Sequence, residues 1–550
     1  MLAGCAGVLG FDEFVVGPGT MDGGDDAAPS GGDADVYVSV EGSDEGDGSR
    51  QHPVRSVARG VQLARAGLFE KKGVQRVAVC AGEYVEKTLE IVGGIHVLGG
   101  YDCASWARSA TEQSLVLSIP PSTRLMSDAP GPAFVRLRAD QLGAPRLDGL
   151  SIAATQAFAT IDVVGESALV DLFVDNTAPP ADVEPRQVVA ANQANVTIER
   201  SHFAMSQRES TSKGVGIGVS ASESTLTLRD NVVEIASTAG ACQGLVASAS
   251  TVVAERNQLD MFECTAVTIS GKELSAAIGL VMIDSTLTSR RNMIRMDRPR
   301  RFEAGRAGAV GMTIVRGGLD SDGDRIIGPV LLGEQATSLT FVGYYASAPV
   351  KIVNASIVLD SRAYDLESGS VGIDLADGSD ESTIAHDSMY ISAPAPTDQV
   401  RGYMLRIAGS VQGGALKVDS NLAISDNPDA VFIRVGSCAE GAIGKLANNF
   451  HGGFAAPVLV QDGGACTLDE LVDGGAAANA VLPCNAGECR ELFEGTEPLS
   501  VATKGLRPAP AAACAQLQVP SSPDVRVDGT GNARSDGGTT TAGAFEVGCN

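Results

Sequence analysis

The chain has 550 residues, of which 44% are hydrophobic but only 4% aromatic, with a single Trp and 65 Gly. Its formal net charge of −26 argues against a nucleic-acid partner and against electrostatic docking on anionic lipid, because phosphates would be repelled. No run approaches the length of apolar sequence that a membrane-spanning helix needs, and the abundant Gly suits many tight turns.

The first element in chain order is Leu2-Ala3-Gly4-Cys5, which resembles the lipobox of bacterial lipoproteins. In that reading Cys5 carries the lipid and anchors the protein to a membrane. The charged and apolar leader that precedes such a motif is not in this sequence, so an upstream start and a chance match are both open. Residues 1–16 are then the remnant of the mature N-terminus. Residues 17–35, "GPGTMDGGDDAAPSGGDAD", cannot bury anything and read as a flexible tether whose ends lie roughly 25 Å apart.

The body is expected over 36–483. It opens with "ADVYVSVEGSDEGDGS", an alternating strand that runs into a Gly/Asp/Ser turn. In "VRSVARGVQLARAG" and the Leu that follows, Val57, Val61, Ala64 and Leu68 share one helical face. This amphipathic segment is placed to cap an open sheet edge. Three short apolar strands broken by Gly follow in "QRVAVCAGEYVEKTLEIVGGIHVLGGYDCASWARS".

From about 150 to 465 one unit recurs: "ANVTIERSHFAM", "STLTLRDNVVEI", "STVVAERNQLDM" and "STLTSRRNMIRM" are its clearest copies. The alternation has period two, which excludes helical repeats. Each unit is too short to bury its own apolar face and must stack on a copy of itself. Strands within a stack must match in length, whereas the turns face water and absorb extra residues, so the spacing of copies is uneven. The expectation is an all-β, single-stranded parallel β-helix. Asn231, Asn257, Asn292 and Asn421 sit at like places in their units, where Asn tolerates a left-handed corner and can bond the copies on either side. The repeat fades in 484–550, which reads as an irregular Cys-containing C-terminal cap and tail.

The stretches "YVSVEGSDEGDGSRQHPVRSVARGVQLA", "AGEYVEKTLEI" and "LGGYDCASWARS" resemble the opening coils of right-handed parallel β-helix proteins of the pectin-lyase-like type. More narrowly, they resemble surface lipoproteins of Gram-negative bacteria with that body. "DVRVDGTGNARSDGGTTTAGAFEVGC" is similar to the closing segment of the same group. The resemblance implies a right-handed β-helix and a cell-envelope or surface address, without implying a reaction.

Eleven Cys are present, and setting Cys5 aside leaves an even number, as an oxidising compartment favours. Proximity proposes Cys80 with Cys103, Cys242 with Cys264, Cys438 with Cys466, Cys484 with Cys489 and Cys514 with Cys549, although sequence alone does not determine connectivity. No Cys-x-x-Cys or His cluster points to zinc.

Enzymatic signatures known on this scaffold are missing. The only Asp-Asp is Asp25-Asp26 in the tether, "FHGG" around His451 lacks the Gly before His, and "RMDRPRRFE" has Asp297 where a lyase pattern wants Arg. His52, His96, His202, His386 and His451 are scattered and each reads as a surface or turn residue. Asp320, Asp322 and Asp324 in "LDSDGDRIIG" alternate as calcium-loop ligands do, but Arg325 and Leu331 stand where such a loop has Gly and Glu. A solvated acidic turn is the competing reading. No catalytic residue, cofactor other than calcium, or nucleotide fingerprint is implied. The function expected is structural, adhesive or glycan- and partner-binding. The alternative is a polysaccharide-active enzyme, which would need carboxylates or an Arg/Lys on neighbouring coils of one face.

Overall fold

The computed structural model describes residues 35–482, apart from 72–73, 109–119, 177–184, 207–213, 237–239, 266, 270–271, 275–276, 298–306, 329–338, 361–369, 393–401, 409–414, 428, 439–442, 462–465 and 473–478; beyond these it describes Cys484 and parts of 506–544. Asp35–Asn550 forms one compact unit. Cys5 and the expected tether up to residue 34 lie outside the described residues.

Each coil carries three strands. In one, Val215–Ser222, Thr225–Arg229 and Val232–Ala236 follow one another; in the next, Ala241–Ser248, Thr251–Glu255 and Gln258–Phe262. Copies pair in parallel and in register, so that Leu226 lies beside Val252 and Val233 beside Leu259. First and second strands merge into a 25-stranded sheet, and third strands stack into a 14-stranded one. This is the parallel β-helix that the opening motifs resemble. Its core is the line of inward aliphatic residues such as Leu226, Val252, Leu287, Ile235, Met261 and Met296, all buried.

The corner between second and third strands is built the same way on successive coils. A residue with left-handed backbone, Asp230 (φ 56°), Arg256 (φ 53°) or Arg291 (φ 54°), is followed by a buried Asn. Asn231 Nδ2 donates to Asn257 Oδ1 at 2.9 Å, and Asn257 Nδ2 donates to Asn292 Oδ1 at 2.9 Å. Each amide also donates to a carbonyl one coil back, as Asn257 does to Leu228 O at 3.1 Å. The corner ladder read from the sequence is therefore present. It continues through Asp324, is interrupted at Ala355, and resumes with Asp387, Asn421, Asn449 and Asn479.

A second column had no counterpart in the sequence reading. Gly218, Gly244, Gly279, Gly311, Gly343 and Gly372 occupy the same place in six successive first strands, each stepping out of the pairing while its neighbours stay in register. These residues turn inward, where there is no room for a side chain. A Cβ on Gly244 would lie 2.6 Å from Gly279 O and 2.6 Å from Leu259 Cδ2.

Non-repeating chain covers the first coils and one side of the later ones. Helix Val57–Lys71 buries Val57, Val61, Ala64 and Leu68 against the first coils. Its first amides are capped from outside by Glu86, whose Oε1 accepts from Val57 N at 2.7 Å and Ala58 N at 3.3 Å. The C-terminal cap is a lateral cover. Leu506, Leu517, Val519 and Ala542 pack on the outward side chains Ile327, Val358, Tyr390, Leu422, Ile424 and Phe450 of the third strands. Arg534 locks this cover by donating to Asn354 Oδ1 at 2.7 Å and to Gly543 O at 2.7 Å.

Candidate functional site

Among the described residues the C-terminal cover packs on third strands from Ile327 onward, and charged groups gather on the outward face of the earlier third strands. Strands Phe173–Asn176, His202–Ser206, Val232–Ala236, Gln258–Phe262 and Met293–Asp297 are successive neighbours. Their registers place Asp175, Ala204, Glu234, Asp260 and Arg295 in one column, and Phe173, His202, Val232, Gln258 and Met293 in the column beside it. Arg124 lies in the second column, two coils before Phe173. One coil step is about 4.8 Å, so Glu234 and Asp260 stand one step apart and Asp175 and Glu234 about two.

The side chains interact. His202 Nε2 lies 3.6 Å from Glu234 Oε2, and its ring meets Phe173 edge-on with centroids 4.9 Å apart. Gln258 Nε2 donates to Asp260 Oδ2 at 2.6 Å, Arg295 Nε is 3.8 Å from Asp260 Oδ1, and the Arg295 guanidinium lies 5.2 Å over the Phe262 ring. Asp260 is nearly buried, whereas the Glu234 side chain is 48% exposed. Burial pushes the Asp175 carboxyl above its ordinary range, and Glu234 adds to this while Arg124 and His202 oppose it. The face thus offers carboxyl acceptors, guanidinium and imidazole donors, and two phenyl rings. That set can bond sugar hydroxyls and stack on sugar rings. It also places Asp175, whose carboxyl burial pushes up, two coils from the half-exposed Glu234, and carboxyls held in differing environments are what acid–base chemistry uses.

The acidic triplet singled out from sequence does not assemble. Asp320 pairs with Arg290 Nη2 at 2.5 Å and lies 3.9 Å from Lys351 Nζ. Asp322 accepts from Asn354 Nδ2 at 2.7 Å. Asp324 is fully buried and belongs to the corner ladder, where Oδ1 accepts from Asn292 N at 2.8 Å and Oδ2 from Ser321 Oγ at 2.5 Å. The three carboxylates are held by different partners, so their alternation along the chain does not bring them together. Among the described residues, the one group of three potential ligands with converging atoms is Cys438, Cys466 and Glu470, and its two sulfurs are already bonded.

Disulfides join Cys80 to Cys103, Cys242 to Cys264 and Cys438 to Cys466. Cys484 is disulfide-bonded, while Cys489, Cys514 and Cys549 lie outside the described residues. His386 is a turn residue at a corner (φ 57°), as read from the sequence, with its ring buried, whereas His451 departs from the surface-or-turn reading: it lies in strand Phe450–Gly452, buried and stacked on Phe432 with centroids 4.6 Å apart. His202 sits in the charged cluster. Sequence reasoning missed that cluster because its members are about one coil apart in the chain. The available signal was positional: Glu234, Asp260 and Arg295 are each the third residue after a ladder Asn.

No family model matches the chain, and no curated protein matches it. Solved structures similar in fold include pectate lyase Pel9A, at 11% identity and TM-score 0.31 over 94% of this chain and 98% of that one. DFA-IIIase from Arthrobacter chlorophenolicus A6 is similar at 11% identity and TM-score 0.33, over 64% of this chain and 95% of that one. The catalytic unit of a GH87 alpha-1,3-glucanase from Streptomyces thermodiastaticus strain HF3-3 is similar at 12% identity and TM-score 0.25, over 84% and 72% of the two chains. The class that the chain's own strand order defines is a parallel β-helix protein.

Proposed function

We propose that the protein is an envelope-anchored glycan-binding protein, with an extended polysaccharide lying along the outward face of the third strands. The column Asp175–Glu234–Asp260–Arg295 carries this reading, because it places polar groups on neighbouring coils along one line, flanked by Phe173 and Phe262. Carboxylates and guanidinium groups bond hydroxyls directionally, and aromatic faces hold sugar rings. A rigid rod keeps these groups at fixed intervals, which lowers the ordering cost of binding an extended chain. The test is a glycan array followed by calorimetry on the folded body. Binding that falls at least tenfold in the double variant Glu234→Gln/Asp260→Asn, with unchanged melting, supports the reading; no glycan ligand, or equal affinity in the variant, ends it.

The anchoring half of the proposal rests on Leu2-Ala3-Gly4-Cys5 and the Gly- and Asp-rich stretch after it. Lipid labelling of the protein expressed with a leader, abolished by Cys5→Ser, is the expected outcome. Cleavage is a second reading, favoured by the differing environments of Asp175 and Glu234. New reducing ends on incubation with a bound glycan, lost in Asp175→Asn, would promote binding to hydrolysis.

A further inference from the structure

We infer that the face of the second strands is a self-association surface, and that its partner is a second copy of this chain lying antiparallel to the first. In five successive coils the chain is described without a break from first strand to third, over 186–206, 214–236, 240–265, 277–297 and 307–328. The outward residues of the second strands stand in columns, in register without a shift. Asn195, Thr225, Thr251 and Thr286 make one column and are exposed; Thr197, Thr227, Val253 and Thr288 make the next and are half-buried. The third column alternates in sign, running Glu199, Arg229, Glu255, Arg290, Asp322.

Within one chain the alternation pairs neighbours: Arg229 Nε lies 3.1 Å from Glu255 Oε2, and Arg229 Nη1 lies 3.6 Å from Glu199 Oε1. None of these charges is free, and association does not need one to be, because an alternating column is its own complement. A two-fold axis that runs along the strands, between the coils of Thr225 and Thr251, sets a second copy face to face with the first. Each column then lies opposite itself with its coil order reversed. Arg229 faces Glu255 of the second copy and Glu199 faces Arg290, each pair occurring twice, as an isologous interface requires. Thr225 faces Thr251, and Asn195 faces Thr286. At the corner beyond, Asp230 faces Arg256; Arg200 faces Arg291, a like-charged pair, but Arg200 already holds Asp171 at 2.8 Å and 3.2 Å.

A net charge of −26 makes two copies repel at most approaches, whereas Glu199, Arg229, Glu255 and Arg290 cancel. The face spans about 30 Å along the rod and about 17 Å across it, so roughly 1,000 Å² would be buried in total, the size of a weak, transient association. The charges then set register and partner choice more than affinity. This face is not that of the third strands, so the outcome leaves the glycan reading untouched.

The experiment is sedimentation equilibrium of the whole chain over a range of concentrations. Wild type is expected to show a monomer–dimer equilibrium that weakens at 1 M salt, where screening acts over roughly 3 Å. Arg229→Glu puts like charges opposite each other at two places and should weaken the dimer at least tenfold. The swap Arg229→Glu/Glu255→Arg separates the two levels of pairing. Inside each chain it leaves Glu199 beside a second acid and Arg290 beside a second base, yet between copies it restores every opposition, so the dimer should return to within about threefold of wild type. Thr225→Arg, which touches no ion pair within the chain, should also weaken the dimer, and it carries the test if Arg229→Glu melts early. If wild type stays monomeric throughout, or if Arg229→Glu and Thr225→Arg dimerise as wild type does, this face is not the surface. If the swap is as weak as Arg229→Glu alone, the two-fold arrangement is wrong.

Discussion

Asp387 Oδ1 accepts the backbone N–H of Ala355 at 2.6 Å, at the point where the corner ladder loses one side chain and gains an acid. On the following coils the same position is Asn421 and then Asn449. Asn421 Nδ2 donates to Ile384 O at 3.2 Å and to Asn449 Oδ1 at 2.9 Å. By register, the matching acceptors for Asp387 are Ile352 O and Asn421 Oδ1, and Asp387 Oδ2 takes part in no hydrogen bond. An ionised carboxylate there would confront two acceptors in a fully buried site. Burial accordingly holds the Asp387 carboxyl well above its usual range.

Replacing this acid by the ladder's own residue should stabilise the fold. Asp387→Asn supplies two donors for two acceptors, and a gain of about 1–3 kcal/mol is expected at pH 8. The sign in wild type follows from linkage. A carboxyl whose folded pKa is raised contributes stability that is complete below its unfolded value near 4 and is lost as pH rises through the folded value. Urea midpoints at pH 5 and pH 8 check this: the gap between variant and wild type should be wider at pH 8, and an equal gap at both would show that Asp387 does not hold its proton.

The buried histidines work in the opposite direction. Burial holds His386 down to about 3, with Arg534 adding to the effect, and holds His96 and His451 each to about 4. A depressed His contributes stability present above its unfolded pKa near 6.5 and lost as pH falls toward the folded value. The protein should therefore weaken between pH 6.5 and 4, and part of that slope should vanish in His451→Phe. Imidazole titration by NMR is the direct check, since these three rings should stay neutral at pH 5.

The helix cap can be tested at one residue. Glu86 gathers the first amides of helix Val57–Lys71 while burial raises its own pKa. Glu86→Ala should cost about 1–2 kcal/mol and speed amide exchange in the first helical turn. Glu86→Gln, which keeps an acceptor, should recover most of the loss. Equal loss in both variants would mean that the amides are not what Glu86 serves.

The glycine column predicts intolerance at a residue type usually replaceable in strands. Gly311→Ala would push a methyl group to within 2.6 Å of Ile326 Cγ2 and against Gly343 O. A loss of about 3 kcal/mol or more is expected, since backbone cannot yield as a side chain does. Gly318→Ala, an outward position with 4.0 Å to its nearest neighbour, is the control and should be near neutral. Denaturant midpoints of the two variants separate packing from general loss of glycine freedom.

Period-two alternation, the Asn residues at like places in their units and the shortness of those units together determined that the strands must stack in one parallel column, because no unit can bury itself. They also determined the helix that covers the first coil, through Val57, Val61, Ala64 and Leu68. Only the tertiary structure decided which side chains share a face. Residues on neighbouring coils meet through register across 26 to 35 residues of chain, as Val233 meets Leu259 and Leu259 meets Ile294. Nothing local marks that distance when the turns vary in length. Alternation also fails at each corner, and the acidic triplet shows how. Gly323 (φ 75°) turns the chain between Asp322 and Asp324, so the third carboxylate points into the core while the first two point to solvent. A spacing of two along the chain means a shared face only while the strand runs straight, and the corners that make this fold a helix are where it does not.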